Sequence, residues 1–143
     1  RPDTFIGFLL LFVAVSIIAP LGEELLFRGF FQQILEKHWK DVTRAVLVTA
    51  LFFAMIHMNP YWFVQIYILG VILGFLAWKT KSVIPALILH SMNNTMAMFF
   101  SFVDIEKNGF YIFHGHVAPW VILLALYLLI SGFQGIDQSK KKR

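Results

Sequence analysis

The sequence predicts an all-α fold, a polytopic bundle of about five transmembrane helices. Hydrophobic residues make up 59% of the 143 residues, and the mean hydropathy is +0.73. Charged residues account for 14%, compared with roughly 25% in soluble domains. A soluble domain of this length could not bury so much apolar side chain, so the composition indicates an integral, multi-pass membrane protein. The chain has no cysteine, which excludes disulfides and thiolate metal sites.

The first hydrophobic segment is predicted to run from about Phe5 to Leu35. That is too long for one perpendicular span, so we expect this helix either to tilt or to break near Pro20 and Gly22. No Ser/Gly-rich linker or repeat divides the chain, which predicts one membrane-embedded domain over residues 1–143. The chain does not begin with methionine, and it is expected to be a fragment or a processed product.

Four further segments complete the predicted bundle. Pro60 forces a tight turn between the second and the third. Gly70 and Gly74, four residues apart in the third, form a small-residue face for close helix contact. Trp39, Trp62 and other tryptophans fall near predicted interfaces, as an aromatic belt requires. The four segments are Thr43–His57, Tyr61–Trp78, Ser82–Val103 and Val117–Phe133.

Basic residues give the predicted orientation. With five spans, nine Lys and Arg residues fall on one side, in the two loops around residues 36–44 and 79–81 and in the tail Lys140–Arg143. The other side has two, Arg1 and Lys107 in the loop Asp104–His116. The positive-inside rule therefore predicts a cytoplasmic C-terminus. Because the positive charge lies at helix ends, its expected partner is the anionic lipid bilayer and not nucleic acid.

Two adjacent glutamates, Glu23 and Glu24, lie in the first hydrophobic segment, and Arg28 follows four residues after the second. Ionisable side chains are costly in hydrocarbon, so they usually mark a site. Glu24 and Arg28 share a helix face and are predicted to form a structural ion pair. Glu23 points about 100° away and is the candidate general base or acid. The alternative is that all three residues form a helix-packing cluster.

Two histidine motifs follow in similar surroundings. His57 ends the second segment and could move a proton or bind a metal, while Phe53 lies one turn earlier on the same face. The alternative is a histidine bonded to backbone at a helix end. His90 and Asn94 share a face at i,i+4 and could donate hydrogen bonds to a developing oxyanion. The alternative for this pair is interhelical hydrogen bonding.

Helical rise places these groups in one layer of the membrane. Measured from the cytoplasmic helix ends, Glu23, His57 and Asn94 lie about 18–21 Å deep and His90 about 12 Å deep. Glu23, Glu24, His57 and His90 could in principle supply zinc ligands. The His-Glu-x-x-His arrangement of many zinc proteases is absent, and Glu24 is expected to be occupied by Arg28. We therefore favour a metal-free centre without a cofactor, with zinc on Glu23, His57 and His90 as the alternative.

The order of these motifs resembles that of the CPBP family of intramembrane proteases, also called the Abi family. The family includes type 2 CAAX prenyl endopeptidases and bacteriocin-processing or immunity proteins. Its three motifs are present without substitution and together cover Glu23 to Asn94. They read Glu-Glu-x-x-x-Arg from Glu23, Phe-x-x-x-His from Phe53 and His-x-x-x-Asn from His90.

The resemblance implies a helical membrane bundle that hydrolyses peptide bonds of membrane-associated peptides or proteins. It implies that Glu23 and His57 activate water and that His90 and Asn94 stabilise the oxyanion. The remaining motif residues, Glu24, Arg28 and Phe53, would support the site. Many members are classed as metalloproteases, whereas a metal-free, glutamate-dependent mechanism is described for archaeal relatives. Members usually have more helices before the first motif, which implies a chain truncated at the N-terminus or a minimal core.

Two other functions are compatible with the same residues. A non-catalytic membrane scaffold or immunity factor would keep the fold and bind a partner through it. Such a scaffold has no need of an unpaired Glu23, and the presence of every motif residue favours an enzyme. A proton-coupled transporter would also use buried Glu and His side chains, but it would yield a pH-dependent flux and no peptide products.

Overall fold

The computed structural model describes residues 2–102, 112–113 and 116–141, and this part of the chain is helical apart from one small hairpin. The strands of that hairpin, β1 (Ile112–Phe113) and β2 (His116–Val117), pair antiparallel. All five predicted segments are confirmed as helices. Most ends differ from the prediction by a few residues, but the last helix continues eight residues beyond the predicted Phe133, to Lys141. The helices are α1 (Phe5–Trp39), α2 (Val42–Ile56), α3 (Phe63–Thr80), α4 (Ile84–Phe102) and α5 (Pro119–Lys141).

Three helices among the described residues are long and apolar enough to cross a membrane. They are α1, α3 and the Pro119–Asp137 part of α5, whereas α2 is a shorter apolar helix. The all-α membrane bundle predicted from composition is thus confirmed. The 15 residues of α2 rise about 22 Å, less than the roughly 30 Å of a bilayer's hydrocarbon core.

The first helix does not break at Pro20 or Gly22. Of the two predicted alternatives, a tilt or a break, the prediction of a break is wrong. Two π-helical stretches, Ala14–Ile18 and Leu25–Phe31, lie within the continuous helix. In the first stretch the Ala19 N–H bonds the Ala14 carbonyl five residues earlier. The wider π turn separates the proline ring from the preceding carbonyls, which would clash with it in a regular α-helix.

Short connections with local hydrogen bonds join the helices. Asp41 caps α2 by accepting a bond from the Arg44 backbone N–H. The Asn59 side chain accepts bonds from two backbone N–H groups at the start of α3. Lys40 and Lys81, which follow α1 and α3, both have positive φ, so the chain turns sharply after each helix.

The packing of α2 against α3 is close. It relies on small residues, because a Cβ added to Gly70 would lie 3.1 Å from the Cβ of Ala50 and 3.3 Å from the Phe53 ring. The predicted small-residue face of α3 is confirmed by this contact. Phe53 and Leu73 are fully buried beside it. The close approach of the two backbones also exposes carbonyl groups of α3 to side chains of α1.

The described chain divides into two compact units. The first comprises Arg1–Met98 and contains all the predicted site residues, and the second comprises Phe99–Arg143. Within the second unit the large apolar side chains of α5, such as Leu123 and Tyr127, are exposed. The predicted loop Asp104–His116 and the last residues of the basic tail lie largely outside the described residues.

Candidate active site

The predicted ion pair between Glu24 and Arg28 is confirmed. Arg28 Nη1 donates to Glu24 Oε1 over 2.7 Å, and both side chains are buried. Arg28 Nη2 donates to the Gly70 carbonyl over 2.9 Å, and its guanidinium lies 4.5 Å from the centre of the Phe53 ring. The guanidinium therefore links α1 to both α2 and α3, which explains why a charged residue is kept in this apolar core.

Glu24 also holds His90, a contact that joins α1 to α4. His90 Nδ1 lies 2.8 Å from Glu24 Oε1, and the His90 side chain is 3% exposed. A carboxylate oxygen only accepts hydrogen bonds, so Nδ1 carries a proton. The ring of His90 also packs edge-on against Phe53, with centroids 5.6 Å apart. Glu24 is thus an orienting group for a histidine as well as the partner of Arg28.

His57 is fixed by its own helix. It caps the C-terminus of α2, and its Nδ1 lies 2.7 Å from the Phe53 carbonyl oxygen. Because a carbonyl also only accepts, Nδ1 is again the protonated nitrogen and Nε2 is free to accept. The Phe53 ring packs against the imidazole, with centroids 4.9 Å apart. The backbone bond expected for a helix-end histidine is therefore present, and it orients Nε2 away from the helix.

Both imidazole Nε2 atoms point at the same carboxylate oxygen. Glu23 Oε2 lies 3.6 Å from His90 Nε2 and 3.9 Å from His57 Nε2. Among the described residues this buried oxygen has no hydrogen-bond partner. The Glu23 side chain is 27% exposed and the His57 side chain 30% exposed, although Glu23 Oε2 itself is buried. Three helices thereby bring Glu23, His57 and His90 together.

The protonation of the two histidines decides which hydrogen bonds these three atoms can make. With Nδ1 protonated on each neutral histidine, both Nε2 atoms are acceptors, and Glu23 Oε2 is an acceptor as well. Acceptors do not bond one another, but a water molecule can donate to two of them at once. Distances of 3.6 and 3.9 Å are too long for direct hydrogen bonds and short enough for a shared water. Such a group of acceptors can bind a molecule that carries two O–H or N–H donors, such as water.

Asn94 has a structural partner in α1. Its Nδ2 donates to the Val15 carbonyl oxygen over 3.1 Å. In the π-helical stretch the donor for that carbonyl would be residue 20, which is a proline without an N–H. Asn94 supplies the missing hydrogen bond and ties α4 to α1. The interhelical alternative considered for Asn94 is therefore present in the structure, and the second N–H of the amide stays a candidate oxyanion donor.

Zinc was the alternative to a metal-free centre, and the donor atoms are of the right kind. Two ligands of a tetrahedral zinc, each about 2.0–2.1 Å from the metal, lie about 3.3 Å apart. Glu23 Oε2 lies farther than this from both histidine nitrogens, at 3.6 and 3.9 Å. In the described part of the chain, no three His, Asp or Glu side chains form a group that could hold a metal ion. The choice between a metal-free centre and zinc therefore stays a prediction, which metal content and chelation test.

Some contacts at this site gave no signal in the sequence. The Glu24–His90 bond joins residues 66 positions apart, and nothing in either motif names the other as its partner. Gln32, whose Nε2 donates to the Gly74 carbonyl, repeats the Arg28–Gly70 contact one turn later. The sequence did contain a pattern that could have predicted this pair of contacts. Gln32 follows Arg28 by four positions, and Gly74 follows Gly70 by four positions.

Comparison with known proteins gives two matches. A family model, Type II CAAX prenyl endopeptidase Rce1-like, matches residues 5–96. The UPF0177 protein YbdI of Lactococcus lactis subsp. lactis (strain IL1403) is 28% identical over 102 residues, which is 71% of this chain and 54% of that protein. The chain thus spans about half the length of this curated relative. No solved structure matches. The matched region contains α1 to α3 and the part of α4 that holds His90 and Asn94.

Proposed function

Because this chain belongs to the Rce1-like family of type II CAAX prenyl endopeptidases, we propose that it is an intramembrane endopeptidase. Its substrates are membrane-associated peptides or proteins, processed in the manner of CAAX sequences or of bacteriocin and leader peptides. The observation that carries the proposal is the convergence of Glu23 Oε2 with the Nε2 atoms of His57 and His90. A protein that only binds a partner has no need of three acceptors aimed at one point.

The length of α2 supports a reaction within the membrane. Asp41 begins this helix beside the basic residues of the 36–44 loop, and His57 ends it. If Asp41 lies at one interface, His57 lies about 24 Å away along the helix axis. That is inside a hydrocarbon core of roughly 30 Å and short of the opposite interface. Glu23 and His90 share this level through their contacts with one another and with His57.

In the proposed reaction a water molecule donates hydrogen bonds to Glu23 Oε2 and His57 Nε2. Its oxygen attacks the carbonyl carbon of the scissile peptide bond while one proton passes to the Glu23–His57 pair. The C–N bond then breaks, and the departing nitrogen receives that proton.

His90 and Glu24 act together on the oxyanion. Because His90 Nδ1 is held by Glu24 Oε1, its Nε2 can donate to an oxyanion only when the ring carries both protons. The Glu24 carboxylate is the counter-ion of that imidazolium and keeps the ring fixed in the same position. Removing one such preorganised donor typically lowers turnover about 10²–10³-fold. The free N–H of Asn94 is the proposed second donor.

The test uses the purified chain in proteoliposomes with a library of membrane-anchored peptides. Glu23→Gln keeps the shape of the side chain but removes the base, and we expect cleavage to fall about 10²–10⁴-fold. The matched control is Glu36→Gln on the same helix, where the carboxylate accepts a bond from Gln32 and is remote from both histidines in sequence. Equal cleavage by the wild type and Glu23→Gln would contradict the proposal, as would a proton-coupled flux without peptide products.

Metal dependence is tested on the same preparation. We expect no stoichiometric zinc after purification and no loss of cleavage on chelation. Stoichiometric zinc, with cleavage lost on chelation and restored by zinc, would place the metal on Glu23, His57 and His90. That outcome would overturn the metal-free mechanism and leave the peptidase function in place.

A further inference from the structure

A polar cavity lies where α1 and α3 end and where α2 and α4 begin. Its volume is about 510 Å³. Glu23, His57 and His90 do not line it, so it is separate from the proposed catalytic centre. All of its lining residues belong to the first compact unit. They are Arg28, Gln32, Gln33, Glu36, Lys37, Lys40, Val42, Ala77, Trp78, Lys81, Ser82 and Val83.

The lining is predominantly cationic. Four cations line the cavity, Arg28, Lys37, Lys40 and Lys81, together with one carboxylate, that of Glu36. The Glu36 carboxylate accepts a hydrogen bond from Gln32 over 2.8 Å. The charge of Arg28 is matched by Glu24 outside the cavity. Three lysines on two separate stretches of chain therefore leave an excess of positive charge around the cavity, which is the field that attracts an anion.

A buried cation at this cavity is a second, independent observation. Arg28 is 2% exposed, yet it lines the cavity. Among the described residues its Nε has no hydrogen-bond partner, although both of its terminal nitrogens are bonded. Because Nε is itself buried, Arg28 adds positive potential to the cavity without contacting a bound anion through Nε.

The location of the cavity indicates where the anion comes from. The Trp78 ring lines the cavity, with Lys81 Nζ 5.1 Å from its centre. At the same end of the bundle the Arg44 guanidinium lies 4.5 Å from the centre of the Trp39 ring. Tryptophans beside basic residues at helix ends mark a membrane interface. Anionic phospholipids place phosphate groups at this level, and each lysine near such a surface adds to their attraction.

We propose that this cavity binds a phosphate group, supplied by the headgroup of an anionic phospholipid. Lys37, Lys40 and Lys81 bind the phosphate as point charges. Through Arg28 the cavity adjoins the ion pair that positions Glu24 and His90. An occupied cavity should therefore stabilise the fold around the proposed active site, because a ligand that binds only the native state raises its stability. Free inorganic phosphate is the other source of the same chemistry.

The experiment compares two double variants that lose the same charge. Lys40→Gln/Lys81→Gln changes the cavity, whereas Arg44→Gln/Lys79→Gln removes two cations from the same end of the helices without touching the lining. Each protein is placed in nanodiscs of phosphatidylcholine with increasing phosphatidylglycerol. Native mass spectrometry then counts the retained lipids, and thermal unfolding reports on stability.

We expect one retained phosphatidylglycerol per wild-type chain and a melting temperature that rises with its mole fraction. In the cavity variant the affinity should fall about thirty-fold, while the control variant keeps the retained lipid. Equal loss in both variants would overturn the proposal, because it would mean attraction to the charged surface without a site. Stabilisation by inorganic phosphate in phosphatidylcholine discs, lost only in the cavity variant, would support a phosphate site filled from solution.

Discussion

Replacing Glu24 with glutamine tests whether Glu24 contributes more than Glu23 to the stability of the fold. Glu24 Oε1 accepts hydrogen bonds from Arg28 over 2.7 Å and from His90 over 2.8 Å. Both the carboxylate and the guanidinium are buried, so Glu24→Gln leaves an uncompensated charge in an apolar core. Removing one partner of such a pair costs about 3–5 kcal/mol. Glu23 is part-exposed, and its Oε2 lies 3.6 and 3.9 Å from the two histidine nitrogens, too far for a direct hydrogen bond. Glu23→Gln should therefore cost less than about 1 kcal/mol of unfolding free energy.

The assay is reversible unfolding of the purified variants in mixed micelles, followed by circular dichroism as the denaturing detergent increases. A third variant, Glu24→Gln/Arg28→Gln, removes the stranded charge together with its partner. It should be no less stable than Glu24→Gln, although it carries one more substitution, because the two residues are coupled.

Two results would refute this account of the pair. One is a Glu24→Gln protein with wild-type stability, which would mean that Arg28 is compensated elsewhere. The other is a Glu23→Gln protein that unfolds more easily than Glu24→Gln. Either result would reverse the assignment of the structural and the chemical carboxylate.

Three further outcomes are expected. Asn94→Ala should cost about 1 kcal/mol of unfolding free energy by the same assay, and the control Asn93→Ala should cost less. If Asn94→Ala instead lowers turnover about 10²–10³-fold at unchanged stability, Asn94 acts on the oxyanion alone. Gly70→Ala should destabilise by about 1–3 kcal/mol through overpacking, whereas Gly22→Ala, whose added Cβ meets nothing within 4 Å, should not destabilise. Ser139→Cys should resist an impermeant thiol reagent in intact cells if the C-terminus is cytoplasmic, and rapid labelling would contradict the orientation.

Much of the fold was predictable because the bilayer limits the possibilities. Composition alone indicates a membrane protein, and hydropathy locates five helices. The i,i+4 rule likewise gives the Glu24–Arg28 pair, which the structure confirms at 2.7 Å. These predictions succeed because helical periodicity and hydrophobic length act locally along the chain.

Contacts between distant helices were beyond the sequence. The course of α1 through Pro20 depends on a π-helical stretch, and the carbonyl that this proline leaves unpaired is bonded by Asn94, 79 residues after Val15. The second partner of Glu24 is His90, on another helix. Periodicity indicates which face a side chain occupies, but the rotation and height of one helix against another arise from packing of the whole bundle.

The central claim is that Glu23 and His57 deliver a water molecule to a peptide bond. The most direct measurement incubates membranes containing the wild type or Glu23→Gln in ¹⁸O-labelled water and identifies new peptide C-termini by mass spectrometry. The account predicts new C-terminal carboxylates that carry one ¹⁸O atom with the wild type and are absent with Glu23→Gln. Labelled termini of equal abundance with both proteins, or none with the wild type, would contradict it.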